Sequence, residues 1–214
     1  TAGPDTFYRF HIDERRLVWA VLDLDSGYQA GVGLHSTCGA APAGCVELIA
    51  DSGTRSEAMS VLDPGDHWLS VDVDNYGENA NGRDNPWALR VYSIAVGSGA
   101  VNELILGGSS LVLGTFSGST LGQTSSIASC APGPDNAYFF ALTPGDLTGA
   151  RSYTASTCGS GAFDSTVSLV RADGGAPLCA STDECGAHGA LHFALSRTAD
   201  PEGLYVLFVD GATA

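Results

Sequence analysis

The chain has no lysine: its nine basic residues are all arginine, set against 24 acidic residues for a formal charge of −15. So large an acidic excess repels phosphate backbones and anionic headgroups, which argues against nucleic acid and membrane surfaces as partners. Long apolar runs are missing too. The longest, such as Leu17 to Leu22 and Leu204 to Val209, are strand-sized, far short of the ~20 residues a membrane helix needs. No cationic, apolar leader stands at Thr1, so an exported protein would be seen here in its mature form. Zinc spacing of the C-x2-C kind is absent, as are phosphate-binding and dinucleotide glycine loops. A nucleophile elbow is missing as well, because Gly114-Thr115-Phe116-Ser117-Gly118 puts its serine one place late. The expectation is a non-enzyme.

What is present reads as β-structure. The 28 glycines, 15% charged residues and scarce helical periodicity suit short strands joined by many turns. A short phrase occurs twice, 130 residues apart: Gly3-Pro4-Asp5-Thr6-Phe7-Tyr8-Arg9-Phe10 and Gly133-Pro134-Asp135-Asn136-Ala137-Tyr138-Phe139-Phe140. Two further blocks follow in the same order. Tyr28 to Leu34 matches Phe163 to Leu169, and Gly65 to Asp72 matches Gly203 to Asp210. A self-match in three ordered blocks implies two copies of one unit. The fold class expected is all-β, with two tandem antiparallel β-sandwiches of jelly-roll type, 1–97 and 98–214, divided at Gly97-Ser98-Gly99-Ala100. Val101 to Pro132 precedes the second phrase and Trp87 to Val96 follows the first copy. Copy one is therefore expected to lack opening strands and copy two a closing strand, or to receive them from a neighbouring subunit.

In the first copy the strands expected are Phe7–Ile12, Leu17–Leu24, Ala30–Leu34, Cys45–Ile49, Ser56–Leu62, Trp68–Val73 and Trp87–Val96. After Leu104–Leu106 and Leu111–Leu113, the second copy has Ala137–Leu142, Arg151–Thr157, Ser165–Arg171, Ala190–Leu195 and Leu204–Val209. Asp63-Pro64-Gly65-Asp66 has proline second and glycine third, as a type II turn wants. Thr143-Pro144-Gly145-Asp146 could open one helical turn.

Six cysteines in a turn-rich chain point to disulfides and an oxidising compartment, secreted or at the cell surface. Cys38 with Cys45, and Cys179 with Cys185, each flank a short loop, leaving Cys130 for Cys158; this is one of fifteen connectivities.

Asp72-Val73-Asp74-Asn75-Tyr76-Gly77-Glu78-Asn79-Ala80-Asn81-Gly82-Arg83-Asp84-Asn85 is rich in oxygen donors. Asp72, Asp74, Glu78 and Asp84 make it a candidate calcium loop, though Arg83 stands where an EF-hand needs a bidentate glutamate. A plain solvated hairpin loop explains the same composition. Asp5 and Asp135 suit backbone N–H acceptance at a strand entry, Asp164 a buried or half-buried acceptor, and Tyr8 and Tyr138 ring packing with an anchored hydroxyl. His188 and His192 have metal spacing on a helix, but on a strand they stand ~13 Å apart. His11, His35 and His67 have no partner motif. Trp68 and Trp87 are either core residues or a sugar- or peptide-binding platform.

The Pro-Asp-x-x-Tyr-x-Phe phrase, Phe163-Asp164-Ser165-Thr166-Val167-Ser168-Leu169, and Gly203-Leu204-Tyr205 leading to Val209-Asp210-Gly211 together resemble the bacterial pre-peptidase C-terminal domain. The resemblance covers most of copy two and, more faintly, copy one, where Gln29 and Ala30 replace the Asp-Thr pair. It implies a non-catalytic jelly-roll module of secreted proteins, calcium-stabilised in some relatives, with Asp210 as a structural residue. Adhesion to an extracellular protein or polysaccharide is the function expected. The alternative is a subunit that joins further copies of itself head to tail by strand exchange.

Overall fold

The computed structural model describes residues 5–24, 29–35, 45–46, 48–50, 55–74, 87–104, 106–107, 110–111, 115–126, 129–142, 150–159, 164–179, 185–186, 188–196 and 202–211. Every regular element among them is a strand. The chain divides into two compact units, Thr1–Ser93 and Ile94–Ala214.

The first unit is built from β1 (Asp5–Ile12), β2 (Arg16–Leu24), β3 (Gln29–His35), β4 (Cys45–Val46), β5 (Leu48–Ala50), β6 (Arg55–Leu62), β7 (Gly65–Asp74) and β8 (Trp87–Ala95), whose last two residues, Ile94 and Ala95, already belong to the second unit. One sheet has the order β1-β7-β3-β4 and the other β5-β6-β2-β8. Period-two alternation on facing strands supplies one core between them: Ile12, Val18, Ala20, Leu22, Val32, Leu34, Ala58, Leu62, Leu69 and Val71. Each buried Val, Leu or Ile side chain there contributes ~1.5–3 kcal/mol relative to exposure, and each alanine less. The nearly continuous apolar run of β2 has a reason, since the strand is buried on both sides. On its other side Trp19 is fully buried. Its Nε1 donates to Glu57 at 3.2 Å, Tyr92 stacks on it at 5.1 Å, and the Arg55 guanidinium lies 5.9 Å from its ring.

The second unit contains β9 (Val101–Glu103), β10 (Leu106–Gly107), β11 (Ser110–Leu111), β12 (Asp135–Leu142), β13 (Arg151–Ser156), β14 (Ser165–Arg171), β15 (Leu178–Cys179), β16 (Ala190–Leu195) and β17 (Gly203–Gly211). A five-stranded sheet runs β15-β14-β17-β12-β9, with β13 paired to β16 and β10 to β11. Its core joins Tyr138, Phe140 and Leu142 of β12 to Val167 and Leu169 of β14, Leu191, Phe193 and Leu195 of β16, and Tyr205 and Leu207 of β17. Phe140 and Tyr205 stack at 5.0 Å with their planes 2° apart.

The two phrases occupy the same place in both sheets. β1 pairs β7 with Asp5 opposite Asp72 and Phe10 opposite His67. β12 pairs β17 with Asp135 opposite Asp210 and Phe140 opposite Tyr205. On the other side of β7 and β17, Val32 faces Val71 and Val167 faces Val209. The order β1-β7-β3-β4 is thus repeated as β12-β17-β14-β15.

Several expectations are corrected. The disulfides are Cys130–Cys179 and Cys158–Cys185, not Cys130–Cys158 and Cys179–Cys185. The reason is the pairing of strands. Cys158 follows β13 and Cys185 precedes β16, the antiparallel partner of β13, so their bridge lies across the end of that pair. Cys179 belongs to β15, an edge strand that the sequence reading missed, opposite Ser168. Cys38 and the side chain of Cys45 lie outside the described residues, as does Thr143 to Asp146. Leu104, just past β9, keeps its N–H on the Phe139 carbonyl at 2.7 Å and packs its side chain into the core. Gly97 and Gly99, expected at the boundary between copies, are close-packed: a Cβ would come within 2.2 Å of the Thr124 carbonyl at Gly97 and 2.0 Å of the Asp135 carbonyl at Gly99. Only glycine permits so near an approach.

Candidate functional site

Two features of the second unit carry chemistry. The first is a cavity of about 180 Å³ lined by Leu169, Arg171, Asp173, Leu178, Leu195 and Tyr205 among others. β14 and β17 place Leu169 and Tyr205 opposite the hairpin that leads to β15, so the floor is apolar and belongs to the core. Arg171 stands at its charged side. Its guanidinium lies 5.4 Å over the Tyr205 ring and its Nη2 donates to Asp173 at 2.8 Å. Leu178 is half exposed. An apolar floor beside a guanidinium paired with Asp173 suits a small group that is flat or aliphatic on one side and polar on the other, where a carboxylate would compete with Asp173 for Arg171. In the first unit the place of Tyr205 is taken by His67, which packs against Phe10 and hydrogen-bonds the Asp63 carbonyl through Nε2 at 2.7 Å.

The second feature is a pair of buried acids. Asp135 and Asp210 stand opposite each other on β12 and β17, and both are essentially inaccessible to solvent. Asp135 Oδ2 accepts the Ser126 backbone N–H at 2.5 Å, and Asp210 Oδ2 accepts the Ser168 hydroxyl at 3.4 Å. Among the described residues Asp210 Oδ1 has no hydrogen-bond partner. Burial raises the pKa of Asp135 against the pull of Ser126. Burial, opposed by the nearby Ser129 hydroxyl and reinforced by the charge of Asp135, pushes Asp210 up to about 7. An acid in such a setting is kept partly protonated at neutral pH.

The other residues singled out in the sequence are dispersed. Asp5, Asp72 and Asp74 lie on paired strands, with their side chains outside the described residues, as are Glu78 and Asp84. Among the described residues no three His, Cys, Asp or Glu side chains gather as a metal site. Asp164 is exposed, not buried, because it precedes β14 instead of facing inward from it. Tyr8 is 41% exposed and only touches Trp87 edge-on at 6.3 Å, whereas its counterpart Tyr138 is buried under Phe116 at 5.6 Å. Trp87 packs against the first core and Trp68 is half-buried. His11 bonds Asp66 at 3.0 Å, His35 bonds Ser70 at 2.7 Å and His192 bonds Thr154 at 2.9 Å. His188 is buried beside β14, in a bridge to Ser165, so it and His192 do not share a helix face.

The cavity had no sequence signature, since its arginine and tyrosine come from different strands. The acid pair had one. Asp135 and Asp210 are both repeated residues, and two strands that keep register with their copies must keep such a pair opposite. No family model matches the chain, and no curated protein matches it. The resemblance to the pre-peptidase C-terminal domain rests on the motif residues themselves.

Proposed function

We propose that this chain is a non-catalytic binding module of an exported protein, of the pre-peptidase C-terminal kind, and that the second unit carries the ligand site. The observation that carries the reading is the cavity floored by Leu169, Leu195 and Tyr205, with Arg171 held at its rim. Its chemistry suits a carboxylate-bearing side chain or chain end of an extracellular protein or polysaccharide. The two disulfides support an oxidising compartment. The test is a binding array of collagen, chitin and bacterial cell-wall material, run with and without a chelator, comparing the wild type with Arg171→Ala and Tyr205→Leu. Saturable binding weakened at least tenfold by either substitution supports the reading. Binding that both variants retain would move the ligand elsewhere, and turnover of any of these polymers by the pure chain would make the protein an enzyme.

A second reading, assembly by strand exchange, has its own observation. β12 carries β9 in parallel on its outer edge, with Ala137 N–H bonded to the Ala100 carbonyl at 2.9 Å. Its counterpart β1 is the edge of its sheet among the described residues, and Phe7 there is 52% exposed. An open edge of this kind invites a further strand. A mass from light scattering that stays at one chain over a hundredfold range of concentration would remove this reading and leave the first untouched.

A further inference from the structure

Residues 115–126 cross β12 without joining its ladder. Phe116 lies against Tyr138. A Cβ at Gly118 would come within 3.1 Å of the Asn136 amide nitrogen and 3.2 Å of the Tyr138 hydroxyl, so the backbone passes directly over both side chains. The segment ends in a small polar clasp. The Ser126 N–H is held by Asp135 Oδ2, the Ser126 hydroxyl donates to the Ala95 carbonyl at 2.8 Å, and the Ser129 hydroxyl donates to the Ser126 carbonyl at 3.0 Å. Phe116 and Leu121 remain 50% and 89% exposed. Ser98 adds an exposed exchange of bonds, its N–H to the Thr124 hydroxyl at 2.9 Å, its hydroxyl to Gln123 at 3.2 Å and the Thr124 N–H back to its hydroxyl at 2.9 Å. A segment attached through side chains in this way and lacking a ladder opens more readily than the sheet beneath it.

The clasp rests on a carboxylate whose cross-strand neighbour is another carboxylate. The groups facing this pair can be named element by element. β12 brings Asp135, β17 brings Asp210, β14 brings Thr166 and Ser168, and the segment itself brings Ser126 and Ser129. Glu103 on β9 and Asp164 before β14 are exposed. His188 is bridged to Ser165, Arg171 and Tyr205 stand at the far end of β14 and β17, and none of these contributes to the balance at Asp210. Two buried carboxyls without a cation between them cannot both ionise at low cost.

We propose that Asp135 and Asp210 hold one proton between them and thereby latch residues 115–126 over β12, and that the segment lifts from Asn136 and Tyr138 once that proton leaves. With Asp210 neutral, Asp135 keeps its charge and its bond to Ser126. When Asp210 ionises, repulsion is relieved most easily by turning Asp135 toward water, which releases the Ser126 N–H. The shift of Asp210 to about 7 places the change near neutral pH, so mildly acidic solution closes the latch and alkaline solution opens it.

Hydrogen exchange on the full chain between pH 5.5 and 8.5, corrected for the intrinsic rate, tests this directly. Protection of the Ser126 amide and of fragments spanning 115–126 should fall at least tenfold across that range, while fragments within β14 and β17 stay protected. In Asp210→Asn the protection should be high and flat with pH, and Asp135→Asn, whose amide oxygen can still accept from Ser126, should behave alike. Constant protection in the wild type would overturn the proposal even if neither variant folds. So would an equal loss in a folded Asp210→Asn. Restoration at pH 8.5 by millimolar calcium chloride would assign the missing positive charge to a metal ion and sink the proton.

Discussion

The two units share strand order and register in one sheet yet hold that sheet differently. In the first unit the second sheet has four strands and covers its partner with aliphatic side chains from β2 and β6. In the second unit that sheet has two strands among the described residues, β13 and β16, and the core is rich in aromatics, with Phe140 on Tyr205 and Tyr153 on Phe193. Two disulfides reinforce it. A smaller sheet buries less apolar area, and larger rings together with cross-links offset the loss. The same frame can therefore be filled by a core that is mostly aliphatic or by one built on stacked rings.

The largest effect is expected from removing one ring from each unit. Trp19→Ala should cost the first unit ~3–5 kcal/mol and Phe140→Ala the second unit a similar amount. Followed by calorimetry, each substitution should lower one unfolding transition and spare the other. If either lowers both together, the units do not unfold independently.

Acidity separates the units next, with opposite signs. Asp210 has its folded pKa raised from 3.8 to about 7, so the folded state binds the extra proton and the second unit loses stability as pH rises from 4 to 7. With 1.36 kcal/mol per unit of pKa, the loss has an upper bound of ~4 kcal/mol. Asp66 in the first unit is held below its ordinary 3.8 by hydrogen bonds from Arg9 and His11. Its contribution is complete above that value and disappears only as pH falls below it. Denaturant midpoints at pH 4.5 and 7.5 should thus drop on alkalinisation for the second unit, and Asp210→Asn should flatten the difference.

Much of this was legible before any coordinates. Alternation gave the strands from β1 to β3 and from β12 to β14, because period-two patterning marks half-buried sheet positions. The repeated Asp-x-x-Tyr-x-Phe marked the two strands that coincide in register. What escaped was set by contacts distant in sequence. β15 is two exposed residues, too short to show a period, and the Cys130–Cys179 bridge depends on that strand reaching β14. Asp164 and Asp210 look equally polar in the chain, yet one precedes its strand and is exposed while the other lies on the buried side of β17. Tyr8 and Tyr138 share a motif position and differ because only Tyr138 is covered, by a segment the first unit does not match among the described residues.

The second unit's covalent closure comes next. Cys158 and Cys185 enclose a 27-residue separation, and opening such a loop costs ~2–4 kcal/mol in the chain-entropy account. Cys158→Ser paired with Cys185→Ser should lower the second unit's transition by that amount. The melting of the first unit should not move, and a comparable shift there would show that the bridge supports both.

The smallest contrast lies at one glycine in each unit. Gly65 opens β7 with φ of +140° and open space where a Cβ would stand, so the obstacle to alanine is conformational and not steric crowding. Gly203 opens β17 at the matching register position, opposite Leu142 as Gly65 is opposite Ile12, without a positive φ. Gly65→Ala should therefore cost ~1–2 kcal/mol, while Gly203→Ala should change stability by less than ~0.5 kcal/mol. Equal costs in urea melts would mean that the two turns entering these strands are under the same backbone constraint, and the difference in φ would then carry no energy.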